Sequence, residues 1–185
     1  MSQLGLEAAR QKMLDAGVAT PAVDVFSHYY RLVESGETGL IREEDIEPLT
    51  DPPMLDDVEV SDNEAREAIG ATVIIKLNGG LGTSMGLDKA KNLLEVRDGL
   101  NFLDLIVQQV QAARRDWDAP LPLLFMNSFR TEADTLAHLS RYPDLPVDGL
   151  PLSFLQNQEP KLRADDLTPV EWPADPGLEW CPPGH

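Results

Sequence analysis

Ala71-Thr-Val-Ile-Ile-Lys-Leu-Asn-Gly-Gly-Leu-Gly-Thr-Ser-Met-Gly86 is the stretch on which the fold turns. Its opening residues are apolar and rich in β-branched side chains, which predicts a buried strand over 71–77. A glycine cluster follows at once. Gly79, Gly80 and Gly82 remove side chains where the backbone must turn sharply and bring its N–H groups against a ligand, so a nest of donors after a strand is expected. The pattern is not the dinucleotide fingerprint, because Met85 stands where the third glycine is required, and no Gly-Lys-Ser or Gly-Lys-Thr makes it a Walker loop. On these residues alone an ordinary glycine turn between two elements remains open. Lys89 and Lys91 come next, either as cations for whatever the loop holds or as solvated surface lysines.

Outward from the loop, strand and helix signals alternate. Strands are expected at 93–96, 122–127 and 152–156. Phe102, Leu105, Ile106, Gln109 and Val110 recur at helical spacing within 101–117, and a second helix is expected over 131–139, capped by Ser128 or Thr131 with Glu132 and Asp134 in its first turn. This alternation marks an α/β layer fold. Upstream, Leu4, Leu6, Ala9, Met13 and Leu14 suggest one helix, and Val23, Phe26, Tyr30 and Leu32 another. Between 43 and 67 stand eleven acids with Arg66 as the one base, and Pro48, Pro52 and Pro53 interrupt any periodicity, so an extended solvated connector is expected. The proline-rich segment 160–185 reads as loop. The expected division is a helical segment with acidic connector over 1–70, then a nucleotide-binding domain over 71–185.

Composition sets the outer limits. With 185 residues, 42% hydrophobic and 25% charged, the chain can bury a core and read as a globular protein. The net charge of −17 repels phosphate backbones, so neither nucleic acid nor an anionic membrane is an expected partner. A phosphate ligand must be held by local donors. The lone Cys181 and the three histidines, His28, His138 and His185, argue against a disulfide or a cysteine-rich metal site. No apolar run reaches membrane-spanning length, and the first residues lack an apolar leader, so a cytoplasmic protein is expected.

The loop, then Lys91-Asn-Leu-Leu-Glu-Val96, Phe102-Leu-Asp-Leu-Ile-Val-Gln-Gln109, Leu124-Phe-Met-Asn-Ser-Phe129, Phe154-Leu-Gln156, Pro160-Lys161 and Trp180-Cys-Pro-Pro-Gly-His185 closely resemble, in unbroken order, the UTP–glucose-1-phosphate uridylyltransferase family. The resemblance implies a Rossmann-like, GT-A-like nucleotidyltransferase fold, a mixed sheet with flanking helices behind a small helical segment. It implies transfer of uridylyl from UTP to glucose 1-phosphate, giving UDP-glucose and pyrophosphate, with Mg²⁺ as cofactor. By the same resemblance, Leu77, Asn78, Gly79, Gly80, Lys91, Gln156 and Gly184 meet UTP, and Gly79, Gly80 and His185 meet glucose 1-phosphate. Lys91 is the catalytic residue it implies; Gln156 is the reader of uracil. The chain departs from many relatives in having Leu87-Asp88-Lys89-Ala90 where a Gly-Pro pair is common. Metal ligands of the family lie on residues this chain does not contain, so no metal residue is assigned here. A truncated domain without turnover of its own is expected. The alternatives are a non-catalytic uridine-nucleotide-binding fragment and a related UDP-N-acetylhexosamine pyrophosphorylase.

Overall fold

The computed structural model describes residues 2–80 and 89–183. Residues 81–88, with Gly82 and Met85, lie outside it, as do Gly184 and His185. Packing gathers the chain into two compact units, one of residues 1–55 with 157–185 and one of residues 56–156. These groupings cut across the expected division at residue 70, because the C-terminal segment packs with the N-terminal helices.

In the first unit, α1 (Ser2–Asp15) and α2 (Thr20–Glu34) meet through Ala9, Met13, Val23, Phe26 and Tyr30. Pro21 opens α2, where its missing N–H costs nothing. The segment expected as loop closes on these helices: Leu162, Leu167 and Trp180 pack against the same cluster, and the Tyr30 hydroxyl donates to the Leu167 carbonyl at 3.0 Å. Lys12 donates to the Val170 carbonyl at 2.8 Å, pairs with Glu179 and lies over the Trp180 ring. The tail is therefore ordered by burial.

The second unit begins with α3 (Asp62–Gly70), inside the stretch expected to be extended. Its cause is local. Ser61 accepts from the Glu64 N–H while the Glu64 carboxylate accepts from the Ser61 N–H, a reciprocal cap whose Ser-x-x-Glu signature the acid count had obscured. Two 3₁₀ turns, Glu43–Asp45 and Leu55–Asp57, interrupt the otherwise irregular and exposed run before it.

Strand β1 (Ile74–Asn78), β4 (Leu123–Asn127) and β5 (Ser153–Leu155) form a parallel sheet in the order β1-β4-β5. Between β1 and β4 come the hairpin of β2 (Glu95–Arg97) and β3 (Leu100–Asn101) and then α4 (Phe102–Trp117). Asp98 and Gly99 make the hairpin turn with φ of 54° and 73°, the left-handed pair such a turn requires. Helix α5 (Glu132–Leu139) connects β4 to β5. Leu103, Val107 and Val110 of α4 meet Leu123 and Phe125 of β4 with Leu121, Leu139 and Leu145 in one buried core. Arg114 fastens the far end of α4, donating to the carbonyls of Leu121, Asp144 and Leu145 at 3.2, 3.1 and 2.8 Å.

Asp104 ties the two helices together. Its Oδ2 accepts from the Asn101 N–H at 2.9 Å as half of a capping box. Its Oδ1 accepts from the Tyr142 hydroxyl and from His138 Nε2, each at 2.6 Å. Arg141, which can only donate, lies 2.9 Å from His138 Nδ1. Burial alone would push the Asp104 carboxyl up, but the bonds from Asn101, Tyr142 and His138 outweigh it and hold the group below its ordinary value. Burial first, and the neighbouring Asp104 second, push the Tyr142 hydroxyl up to about 12.

A carboxyl lowered on folding contributes stability that is present above its unfolded pKa and lost as pH falls through the folded one. Asp104→Asn should therefore lower the unfolding free energy by about 2 kcal/mol near neutrality, with the gap to the parent chain closing below about pH 4. Urea titrations followed by helical circular dichroism at pH 7 and pH 3 measure both. A gap that stays constant with pH would assign the loss to packing instead.

Candidate functional site

The carboxyl ends of the three parallel strands carry Asn78, Asn127 and, one residue past β5, Gln156. In open α/β sheets this edge is where ligands bind. Asn78 and Asn127 are register partners across β1 and β4, and the Gln156 N–H donates to the Asn127 carbonyl at 2.8 Å. The chain leaves β1 at this level through Gly79 and Gly80.

Gln156 lies over Gly79. A Cβ at residue 79 would stand 2.5–2.8 Å from the Gln156 Oε1, Nε2 and Cδ, so only glycine leaves the carboxamide its place. Both polar atoms of that amide are buried and have no hydrogen bond, the only such pair among the described residues. An unsatisfied buried donor or acceptor costs about 1–3 kcal/mol, and such a group is a mark of a site more than of a core. The amide offers one donor face and one acceptor face side by side.

Lys91 opens a 3₁₀ turn, Lys91–Leu93, whose buried sides are Ala90 and Leu93. Its N–H donates to the Gly80 carbonyl at 3.2 Å, and its Cδ lies 3.9 Å from where a Cβ of residue 80 would be. Its aliphatic stem therefore follows the glycine backbone, and the exposed ammonium has no ion pair among the described residues. Lys89 goes elsewhere: with Asn101, Asp134, His138 and Arg141 it lines a separate open cavity of about 460 Å³. The two lysines, equivalent by sequence distance, are separated by the fold.

Asn78 serves the site through its side chain in an unforeseen way. Only 4% exposed, it donates from Nδ2 to Asn127 Oδ1 at 2.6 Å and to Thr135 Oγ1 at 2.8 Å, and its Oδ1 accepts from Asn92 Nδ2 at 2.7 Å. Thr131 is the first residue of the α5 cap, but its hydroxyl makes no capping bond. It donates to the Asn78 carbonyl at 2.8 Å and accepts from the Ser128 N–H at 3.0 Å. Leu77 is about half exposed beside Met126, and Gly184 and His185 fall outside the described residues. Asn92 and Thr135 are not singled out by the sequence as site residues, Asn127 enters there only within the family resemblance, and Thr131 only as a helix cap. The available signal was an asparagine closing each of two apolar strands, Leu77-Asn78 and Met126-Asn127.

A parallel sheet, a glycine segment leaving its first strand and polar side chains at the strand ends define an open α/β unit with its ligand edge at the strand ends. The profile of the UTP–glucose-1-phosphate uridylyltransferase family matches residues 23–185, and the chain belongs to that family. It is 42% identical over 123 residues to the potato (Solanum tuberosum) UTP–glucose-1-phosphate uridylyltransferase, covering 66% of this chain and 25% of that protein. With the Saccharomyces cerevisiae enzyme the identity is 44% over 113 residues, 60% of this chain and 22% of the other. The solved UDP-glucose phosphorylase of Trypanosoma brucei superposes on 98% of this chain with a TM-score of 0.87 and 38% identity, using 39% of its own length. A variant of the Leishmania major UDP-glucose pyrophosphorylase in complex with UDP-glucose does so with a TM-score of 0.88 and 41% identity, covering 98% of this chain and 38% of its own. The chain thus spans about a quarter of the curated relatives it matches and under two fifths of the solved ones.

The contact of Gly79 with Gln156 distinguishes neighbouring glycines. Gly79→Ala should fold, since a flexible amide can yield, but it should move the Gln156 side-chain NH₂ resonances in a ¹H–¹⁵N spectrum. Gly80→Ala, facing an ordinary 3.9 Å contact, should leave them in place. Equal displacement by both variants would mean that the amide is not seated on Gly79.

Proposed function

We propose that this chain supplies the UTP-binding part of a uridylyl transfer to glucose 1-phosphate, and that the buried, unpartnered carboxamide of Gln156 is the group that reads uracil. That amide carries the reading. A uracil edge presents a carbonyl and an N–H side by side, which a carboxamide satisfies with its own donor and acceptor. The ligand gains those bonds when the amide lifts off Gly79 by rotation about its own side-chain torsions.

Gly79 and Gly80 then bring backbone close to the phosphates, and the ammonium of Lys91, without an ion pair among the described residues, answers their charge. In the proposed reaction a phosphate oxygen of glucose 1-phosphate forms a bond to the α-phosphorus of UTP. The bond from that phosphorus to the bridging oxygen of pyrophosphate breaks, and pyrophosphate leaves with the electron pair. Such chemistry rests on alignment and charge stabilisation, and Lys91 beside the glycine backbone provides a part of both. Mg²⁺ would further neutralise the triphosphate. Among the described residues no three of His, Cys, Asp and Glu converge as ligands. No helix among the described residues is long and apolar enough to cross a membrane; a cytoplasmic setting is part of the proposal.

Calorimetric titration of the 185-residue chain tests the assignment. UTP should bind more tightly than ATP. Gln156→Ala should weaken UTP binding about tenfold, the equivalent of one lost hydrogen-bonding group at about 1.4 kcal/mol, and should narrow the preference over ATP. Lys91→Ala should cost a similar factor, and Lys89→Ala should stay within about twofold, as expected of an exposed side chain away from the ligand. Equal affinities for UTP and ATP in the parent chain would remove Gln156 from the role of base reader.

A further inference from the structure

We propose that Asn92 is the positioning residue of Lys91, and that its orientation is imposed from Glu132 and the Thr131 carbonyl by a one-way chain of buried and half-buried hydrogen bonds. The functional weight given to Lys91 rests on the reading above. The chain itself does not.

The direction follows from which atoms can donate. The Glu132 carboxylate only accepts, so the Ser153 hydroxyl spends its single proton on Glu132 Oε1 at 2.7 Å. Ser153 Oγ is then left to accept, and it does so from Asn127 Nδ2 at 2.8 Å. That bond turns the Asn127 carbonyl oxygen toward β1, where it takes Asn78 Nδ2 at 2.6 Å. A second branch agrees. Thr135 gives its proton to the Thr131 carbonyl at 2.6 Å and so can only accept from Asn78 Nδ2, at 2.8 Å.

Both branches demand the same amide orientation of Asn78. Its Oδ1 therefore faces the following turn as an acceptor, and Asn92 Nδ2 meets it at 2.7 Å. Reversing Asn78 would set its oxygen against Asn127 Oδ1, which has no proton to give, and would take the hydroxyl proton of Thr135 away from the Thr131 carbonyl. Reversing Asn127 as well would take the proton of Ser153 away from Glu132. Thr131, Thr135 and Asn127 are fully buried, so water cannot reach the Asn78 end of the relay to repair a reversal there.

Asn92 is the residue after Lys91. The Asn92 side chain reaches back to Asn78, and the Lys91 N–H reaches back to the Gly80 carbonyl, so two adjacent residues hold the turn to the exit of β1. Leu93 packs into the core and Ala90 is fully buried. With these four points fixed, the Lys91 stem is laid along Gly80. A donor at residue 92 is required, and an acceptor of the same shape would be repelled.

Asn92→Asp makes that exchange with almost no change of shape, and Asn92→Ala removes the group without adding charge. Amide hydrogen exchange of the unliganded full chain reads the position directly. In both variants the Lys91 N–H should exchange at least about tenfold faster, with Val107 in the core of α4 unchanged as the control for global folding. Protection of the Lys91 N–H equal to the parent chain in both variants would overturn the proposal.

UTP titration then forms a cycle with Lys91→Ala. Each Asn92 variant should weaken binding about as much as Lys91→Ala does, and neither should weaken it further in the Lys91→Ala background. Independent, multiplying losses would show that residue 92 acts on the nucleotide by another route, including simple charge in the aspartate variant, and would overturn the positioning role. Should Lys91→Ala leave UTP affinity untouched while the exchange result holds, the fault lies in the functional reading of Lys91. The relay that orients its turn would stand.

Discussion

Two asparagines facing each other at the ends of neighbouring parallel strands govern this structure. Asn78 and Asn127 are 4% and 0% exposed, and each would be costly to bury unpaired. Paired, they specify the alignment of β1 on β4, because a slip of one residue would turn one amide into the apolar face and leave the other without a partner. The alignment decides what lies at the sheet's edge. It sets the level at which Gly79 and Gly80 leave β1, and through the Asn127 carbonyl it sets the level at which Gln156 leaves β5.

Below the asparagines the interior is almost entirely apolar, and above them it is polar and then open. Leu103, Val107 and Phe125 have no polar atoms to satisfy, so the lower layer needs packing alone. Asp104 is the exception, and it is supplied with three donors. At the strand ends each polar atom has a designated partner until Gln156, where the pattern stops. A fold that satisfies Asn78, Asn127, Thr131 and Thr135 without remainder could have satisfied one more amide. Leaving both ends of that amide unpaired beside a glycine is consistent with a group kept for something outside the chain.

The parallel sheet was legible because its signals were local. Apolar runs ending in polar residues located β1 and β4 to within a few residues, and the spacing of Leu105, Ile106 and Val110 located α4. Helix α3 was not read because eleven acids with three prolines suggested solvation, while the Ser61 to Glu64 cap acts over a single turn and is indifferent to net charge. The tail around Trp180 was not legible for the opposite reason: its order comes from contacts with residues more than 130 positions away, including Tyr30 with Leu167. Nor could spacing separate Lys89 from Lys91. Two residues apart in a turn, they point to different places only once Ala90 is buried between them.

The overall charge of −17 would work against a triphosphate at long range, which bears on the site proposed for one. Repulsion by dispersed surface acids is screened over a Debye length of about 8 Å at physiological salt, whereas a hydrogen bond or a close ammonium acts inside that distance. An acidic protein that holds phosphates therefore gains little from additional distant lysines and much from donors placed in contact. Backbone N–H groups at glycines and one cation held by its neighbours meet that requirement. The cation is most useful while it stays near the glycine backbone, since its attraction falls with distance and is largely screened beyond the Debye length. Rigid support of the Lys91 turn, through Ala90, Leu93 and the amide of Asn92, is thus a consequence of the surrounding acidity as well as of the local packing.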